Sequence, residues 1–587
     1  MQNFAEQCAD IVRLILVHNL DFINEDGSIR PIGQEELVGD EAAHLAFALG
    51  EYYRLTHEVN LSSRHVIDLV AKAIAYQVGS MYKGKDTDWG SYVALALLSF
   101  GAVRERNPVW ERLDDEVRTQ LDHLLLRRDE LKEYHFANAI GKAVVRHEFR
   151  LTKKDETGKL IDRFLEYCEQ HSTGGFFDAT NGHGLGGTFD VQGVFNFSFI
   201  RQALYYHTDN FFVEKKLPSL RTYAEKYLRL IPDLMREDGT CWAYGNGLGA
   251  HGQMYCISMV LQALRDGWIT PDKQALYINI VFDLFQKFFC HYVDQEHGYV
   301  VICDSERMSG TEKSSIRANF DAVCHLCQWA RLARRSSINV SHIRRVFNFK
   351  AGNRLVIFDK GLKRENGLFV YRDGKTAMNL QLPLVSGNGC GSSDFLAFPH
   401  CPGIFDWPAE KYLPILQPEL TVEGKRYIPS FYGKKLSTGL GSKGSIIFSY
   451  EQPEWVTVEE EITAGLGSCR VLWTFGEGKI ISEFTYMVKN PVRVERISYM
   501  VALSAPHSVY GSNNLALGEG NLGIFVEHDD LMLSWQGIRE VEGDRNYRTH
   551  YGKIHYIQEL SRDYPLVMQP GQPYRLVVSF TPDVVKI

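Results

Sequence analysis

The chain has no surplus of positive charge. It carries 64 Lys and Arg against 72 Asp and Glu, a net charge of -8, and no run of five basic residues. A protein that grips nucleic acid through its phosphates needs a basic stripe, so that class is set aside. It has no uninterrupted stretch of 18 apolar residues, so no membrane-spanning helix is expected. It has no basic leader with a small-residue cleavage site: Asp10 and Arg13 interrupt the amphipathic segment from Met1 to Asn19. Its 11 cysteines form no regular framework and are scattered from Cys8 to Cys469. Without a leader they read as reduced thiols, and a cytoplasmic location is the expectation.

Aromatics are plentiful, with 29 Tyr, 33 Phe and 9 Trp in 587 residues, enough to fill a large core and line a cleft. The length allows two large domains. Up to about residue 335 the chain reads as helical. Val66, Val70, Ile74 and Val78 recur every four residues, a buried helical stripe. Similar segments are expected around 92–100, 117–126, 141–149, 161–167, 195–206, 223–235, 254–264, 276–289 and 320–332. Two glycine-rich turns with a Gly-Leu-Gly core, Gly182 to Gly187 and Asn246 to Gly252, each precede a helix, and they suggest repeated helical hairpins. Such hairpins close into an α/α toroid, read here as an incomplete helical barrel, with loops gathered at one mouth.

The texture changes at 336–345, a linker, and 346–587 reads as antiparallel strands. Val456 and Val458 alternate with Thr457 and Glu459. Val471 to Phe475 and Lys479 to Tyr486 flank Gly476-Glu477-Gly478 as a hairpin, and Tyr574 to Phe580 is a further strand. The expected fold is therefore α+β multidomain: a toroid at 1–335, which would hold the chemistry, and a β-sandwich.

Polar and glycine residues concentrate in four places: Asp178 to Gln192, Glu237 to Tyr255, His135 to His147, and Phe398 to Pro408. Glycine lets backbone approach a ligand closely. His, Tyr and Asn beside it move protons and donate hydrogen bonds, and indole faces suit sugar rings. Trp89, Trp242 and Trp407 are the candidate platforms; Asn246 and His400 complete the candidate binding set. Each motif has a plainer reading. Asp238-Gly239 suits an ordinary turn, Asn138 a satisfied helix amide, and Phe176-Phe177 the core. Cys324-His325-Leu326-Cys327 has zinc-like spacing, but without a second such pair it reads as buried structural thiols. No metal or other cofactor is expected, and a structural metal in the β-domain stays open.

Asn138-Ala139-Ile140-Gly141, Asp238-Gly239-Thr240-Cys241-Trp242-Ala243-Tyr244 and Leu248-Gly249-Ala250-His251-Gly252, set in a toroid followed by a sandwich, resemble the polysaccharide lyases of the heparinase II/III, alginate and hyaluronate lyase type. Tyr244 stands where that family has a histidine, and His251 near its tyrosine. The resemblance implies β-elimination in a glycan containing uronic acid, probed as an anionic oligosaccharide and attacked from its end. Tyr244 would act as base or acid with His251 as partner, and Asn138 and His183 would neutralise the carboxylate, with Arg146 assisting. The same segments are also similar to a toroid-plus-sandwich group with glycoside hydrolase relatives. Hydrolysis, for instance of a terminal glucuronate, needs paired carboxylates, and Asp190 and Asp238 are the pair. A non-catalytic glycan-binding protein is the third reading. Neither a nucleic acid nor a membrane is expected as partner, and the oligomeric state, a homo-oligomer included, stays open.

Overall fold

The computed structural model describes residues 3–582 except 33–36, 83–89, 128–134, 179–190, 237–238, 242–248, 303–306, 308–314, 337–350, 362–364, 374–378, 385–398, 402, 408, 410–412, 414, 431–432, 459–462, 477, 518–521, 529–530, 542–544 and 563. Among the described residues the helices are α1 Phe4–Asn19, α2 Glu41–Thr56, α3 Val66–Tyr82, α4 Gly90–Leu98, α5 Asp115–Leu126, α6 Phe136–Glu148, α7 Thr157–His171, α8 Val191–Leu204, α9 Asn210–Leu228, the short α10 Ile231–Leu234, α11 Gly249–Arg265, α12 Pro271–Tyr292 and α13 Ser315–Ser336. Among the described residues no helix is long and apolar enough to cross a membrane.

Local chemistry starts these helices where they start. Asn3 accepts a hydrogen bond from the Glu6 amide and the Glu6 carboxylate accepts one from Asn3, a capping box that fixes the first turn of α1. Its apolar face, Cys8, Ile11, Val12, Ile15 and Leu16, is then buried. Asp209 caps α9 by accepting from the Phe212 amide. The segment expected as one helix at 223–235 is instead the end of α9 and the separate α10, which has proline in its first turn, where the missing amide proton costs little.

The helices make two layers. The inner ones follow one another in contact, α2 to α4, α6, α8, α11 and α13, and α13 returns to α2. These successive contacts among the described helices make the helical toroid expected from the sequence pattern. Outside it, α1 packs on α13, α3 on α2, α7 on α6, α9 on α8 and α12 on α11. Each inner helix is entered from the same end of the ring, so α2, α8, α11 and α13 point their N-termini one way and their C-termini the other.

The β-part is built on two large antiparallel sheets. One runs Lys434–Leu440, Ile446–Gln452, Gly467–Gly476, Lys479–Val488, Tyr574–Thr581, Leu522–His528, Asn514–Leu517 and Ser508–Tyr510 in neighbour order. The other runs Thr463–Ala464, Trp455–Thr457, Lys425–Pro429, Pro418–Val422, Arg496–Leu503, Tyr556–Arg562 and Ser534–Trp535, with Arg539–Glu540 also paired to Tyr556–Arg562. Side chains from both sheets, Trp473 and Phe484 from one and Leu420 and Tyr499 from the other, share one apolar core, as a sandwich requires. The expected hairpin is present, with Gly476 opposite Lys479.

A third sheet, Gly352–Lys360, Glu365–Arg372, Asn379–Leu384 and Pro399–His400, lies between the two bodies. Its period of two puts alternate residues in different cores. Leu368 and Val370 belong to the helical core, while Phe369 and Tyr371 belong to the sandwich core. Phe369 stacks on Phe448 with ring centroids 4.5 Å apart. On the helical side the Phe358 carbonyl accepts from Gly174 N at 2.8 Å and Ser172 Oγ at 2.7 Å. A side chain at Gly174 would meet that backbone at 2.9 Å, so only glycine fits. The expected linker lies, beyond Ser336, outside the described residues.

Candidate functional site

The N-terminal end of the inner ring gathers the titratable side chains. His44 on α2 is buried, with Nδ1 2.6 Å from Asp321 Oδ1 on α13. Arg317 Nε donates to His44 Nε2 at 3.2 Å, which leaves the imidazole proton on Nδ1, donating to Asp321. Asp40, one turn before His44, lies 3.9 Å from its Nε2 and 3.5 Å from Arg317. Burial pushes the Asp321 carboxyl up, but His44, Arg317 and His251 outweigh it and hold the group at about 2. Asp40 lacks so strong a surround, and burial raises its carboxyl above the usual range.

One turn beyond Asp321, His325 Nδ1 lies 2.8 Å from Ser258 Oγ on α11, and the same hydroxyl accepts from the Trp329 indole at 2.8 Å. The Tyr255 ring meets His325 edge-on with centroids 4.7 Å apart and lies over His251 at 6.4 Å. His251 is half-buried in the first turn of α11. The β-part closes over it with His550, whose Nδ1 would lie 2.7 Å from any side chain placed at Gly249. Gly249 also has φ +78°, so both the approach and the backbone call for glycine. Burial first, and then the charge of His251, pushes His325 and His550 down to about 4. At neutral pH His325 and His550 are therefore neutral beside an ionised Asp321. A narrow depression inside the ring, lined by Tyr92, Phe195, Tyr255, Asp321, His325 and Gln328, opens beside them.

The joint between the bodies adds a second cluster. Arg236, fully buried, pairs with Asp406 at 2.9 Å, and its guanidinium lies 4.0 Å from the centre of the Trp407 ring. Burial works against the Asp406 charge, but Arg236 and His400 together hold its carboxyl below the usual range. Trp407 packs on Tyr551 with ring centroids 4.1 Å apart and planes tilted by 37°, and Tyr551 accepts from Gln253 Nε2 at 2.9 Å. Arg236 also carries the turn that leads on to α11: its carbonyl accepts from Gly239 and its amide donates to Thr240.

Of the residues singled out in the sequence, His251 lies at the mouth among Tyr255, Asp321, His325 and His550. His400 and Trp407 lie at the joint. Trp407 is a correction: it is buried between Arg236 and Tyr551, so its faces are already covered and it is no sugar platform. Asn138 is half-buried near the start of α6, and its Oδ1 accepts from the Ser91 amide at 3.0 Å, satisfying the first turn of α4. Arg146 is also corrected. It is buried in the helical layers, donates to the Leu125 carbonyl at 2.9 Å and pairs with Glu156 at 3.6 Å, so it is a structural post rather than a group open to a carboxylate. Tyr244, His183, Asp190, Asp238, Asn246, Trp242 and Trp89 lie outside the described residues. Cys324 and Cys327 are buried thiols raised above their ordinary range, first by burial. Sequence reading passed over His44, Asp321, Arg236 and His550, which no local motif marks; Tyr255 and Asp406 fell inside two of the four polar clusters without a role, and His325 was read only as part of the Cys324–Cys327 segment.

Among the described residues one group, His147, Asp155 and His207, brings metal-type ligand atoms within 4.8 Å of one another, in the helical part. The two rings stack at 13°, with centroids 4.7 Å apart. Parallel imidazoles cannot both aim an in-plane lone pair at one ion. His207 Nδ1 instead accepts from the Asp209 amide, and Nε2 faces Asp155 at 3.1 Å.

The sequence matches no family model and no curated protein. Among solved structures it is similar to a chondroitinase AC lyase, at 11% identity and TM-score 0.42 over 99% of this chain and 83% of that one. It is also similar to a heparan sulfate lyase HepC mutant from Pedobacter heparinus, at 10% identity and TM-score 0.32 over 98% and 88%. A GH76A alpha-1,6-mannanase from Salegentibacter is similar over 55% of this chain and 99% of its own, at 12% identity and TM-score 0.36.

Proposed function

We propose that the chain is a carbohydrate-active enzyme and, more finely, a lyase that cleaves a uronic-acid-containing oligosaccharide by β-elimination at the mouth of the helical ring. The observation that carries this reading is the company His251 keeps: a tyrosine, two neutral histidines and a carboxylate that stays ionised. Elimination needs a base for the C5 proton, donors that neutralise the substrate carboxylate as enolate-like charge develops, and an acid for the leaving oxygen. Tyrosine and imidazole meet those needs. Hydrolysis by paired carboxylates needs one of them kept protonated near neutrality. Asp321 and Asp406 are held ionised by cationic neighbours, and Asp40, though raised, is buried behind His44. Tyr244, with His251 as partner, is assigned the proton transfers, and Asn138 and His183 the carboxylate. Asp190 and Asp238 are the pair a hydrolase would use in their place.

Uronate-containing oligosaccharides test the proposal. An unsaturated product absorbs at about 235 nm, so absorbance rising in step with reducing ends supports elimination. Reducing ends without absorbance would overturn it in favour of hydrolysis.

A further inference from the structure

The opposite end of the inner ring is as basic as the mouth is histidine-rich. The C-terminal turns of α2, α8, α11 and α13, with the residue that follows α8, bring together Arg54, Arg201, Tyr205, Arg265, Arg331 and Arg335. Helix C-termini carry negative partial charge, so some cations are expected there. Glu51 is buried among Arg54, Arg331 and Tyr206, and these neighbours hold its carboxyl at about 2 against the effect of burial. Asp266 takes the Nε and Nη2 sides of Arg201, with the shorter contact at 2.6 Å. Five arginines thus face two carboxylates.

Charge alone would not indicate a ligand; the donors left over do. Arg201 is 2% exposed, yet its Nη1 is buried and meets no hydrogen-bond acceptor among the described residues. The same holds for Arg265 Nη1 and for the Tyr205 hydroxyl. All three belong to one cluster, because the Arg201 and Arg265 guanidinium carbons lie 4.9 and 4.3 Å from the centre of the same Tyr205 ring. Buried donors without acceptors cost more than the net gain of an ordinary hydrogen bond. Arg335 stands exposed at the rim; burial, then the like charge of Arg265, Arg331 and Arg54, lowers its guanidinium.

We infer that Arg201, Tyr205, Arg265 and Arg335 form a binding site for a tetrahedral oxyanion, a phosphate or sulfate group, at the end of the ring away from the mouth. Three donors of fixed direction match an acceptor with several oxygens, and guanidinium forks suit that geometry. The site is separate from the proposed chemistry: Arg265 ends the helix whose first turn holds His251, about 21 Å along its axis. The inference does not depend on which reaction occurs at the mouth.

Calorimetric titration of the full chain with inorganic phosphate, and separately with sulfate, tests it at ionic strength held constant with sodium chloride. Saturable binding of either anion is expected, weakened about tenfold or more in Arg265→Gln and in Arg335→Gln. Whether phosphate or sulfate binds tighter tells which kind of group the site takes, and either preference supports it. Arg335 is exposed, so its variant should melt with the wild type and separates lost binding from lost folding. No saturable heat with either anion overturns the inference. So does undiminished affinity in both variants, or equal weakening in Arg575→Gln, which removes a charge from the sandwich surface.

Discussion

The two ends of the inner helix ring are built from the same helices and differ in kind. At the N-terminal end stand His44, His251, Tyr255, Asp321 and His325, and the sandwich covers them with His550. At the C-terminal end stand arginines, two tyrosine rings and two occupied carboxylates. Helix direction explains part of the contrast, since cations suit C-termini. Imidazole can change charge within the range of ordinary working pH, and His325 and His550 are kept neutral at pH 7, whereas guanidinium never deprotonates. On the two proposals above, one end serves chemistry and the other holds an anion.

The contrast can be broken at the mouth. His251→Gln should lower turnover by about 10² to 10⁴ with melting near that of the wild type, whereas a purely structural His251 would move stability and leave turnover in proportion to folded protein. Asp406→Ala strands the buried Arg236 charge at the joint and should cost about 3–5 kcal/mol in urea unfolding. Arg236 also carries the turn toward α11, so activity should fall with it.

Acid sharpens the comparison next. His325 and His550 have folded values of about 4, below the ordinary imidazole. Between that value and about 6.5 the unfolded chain binds protons that the folded one refuses, so stability rises with pH across this window and is lost as pH falls. By pH 5 each histidine should cost about 2 kcal/mol, and His325→Gln should remove its share of the slope in unfolding measured from pH 7 to 5. Asp321 has the opposite sense of origin: its lowered value contributes stability that is complete above the ordinary carboxyl range of about 3.9 and is lost progressively as pH falls from there through about 2. The smallest effect is expected at Gly249, where alanine meets both the positive φ and His550 Nδ1; about 1–2 kcal/mol of destabilisation in thermal unfolding is the outcome.

How far the sequence carries depends on the distance over which its signals act. The Gly476-Glu477-Gly478 hairpin and the stripe of α3 are local patterns, and both are where periodicity puts them. The helix α2 was not legible, because 13 of its 16 residues are buried and there is no polar face to set a period. The same holds for partners far apart in the chain. His44 and Asp321 are separated by 277 residues and Arg236 and Asp406 by 170, and only closure of the ring and docking of the sandwich bring them together. Trp407 had the composition of a platform, but burial between Arg236 and Tyr551 is a tertiary fact that no local motif carries. His251 was legible because a glycine-rich turn runs into it, which marks backbone that must pass close to something.

The central claim is that the mouth works by proton transfer through tyrosine and histidine. The most direct test compares Tyr244→Phe with the double variant Asp190→Asn, Asp238→Asn on a uronate-containing substrate that the wild type cleaves, following absorbance at about 235 nm and reducing ends together. The account predicts that Tyr244→Phe loses both signals while the carboxylate variant keeps them. Retained cleavage in Tyr244→Phe, with loss in the carboxylate variant, would contradict it.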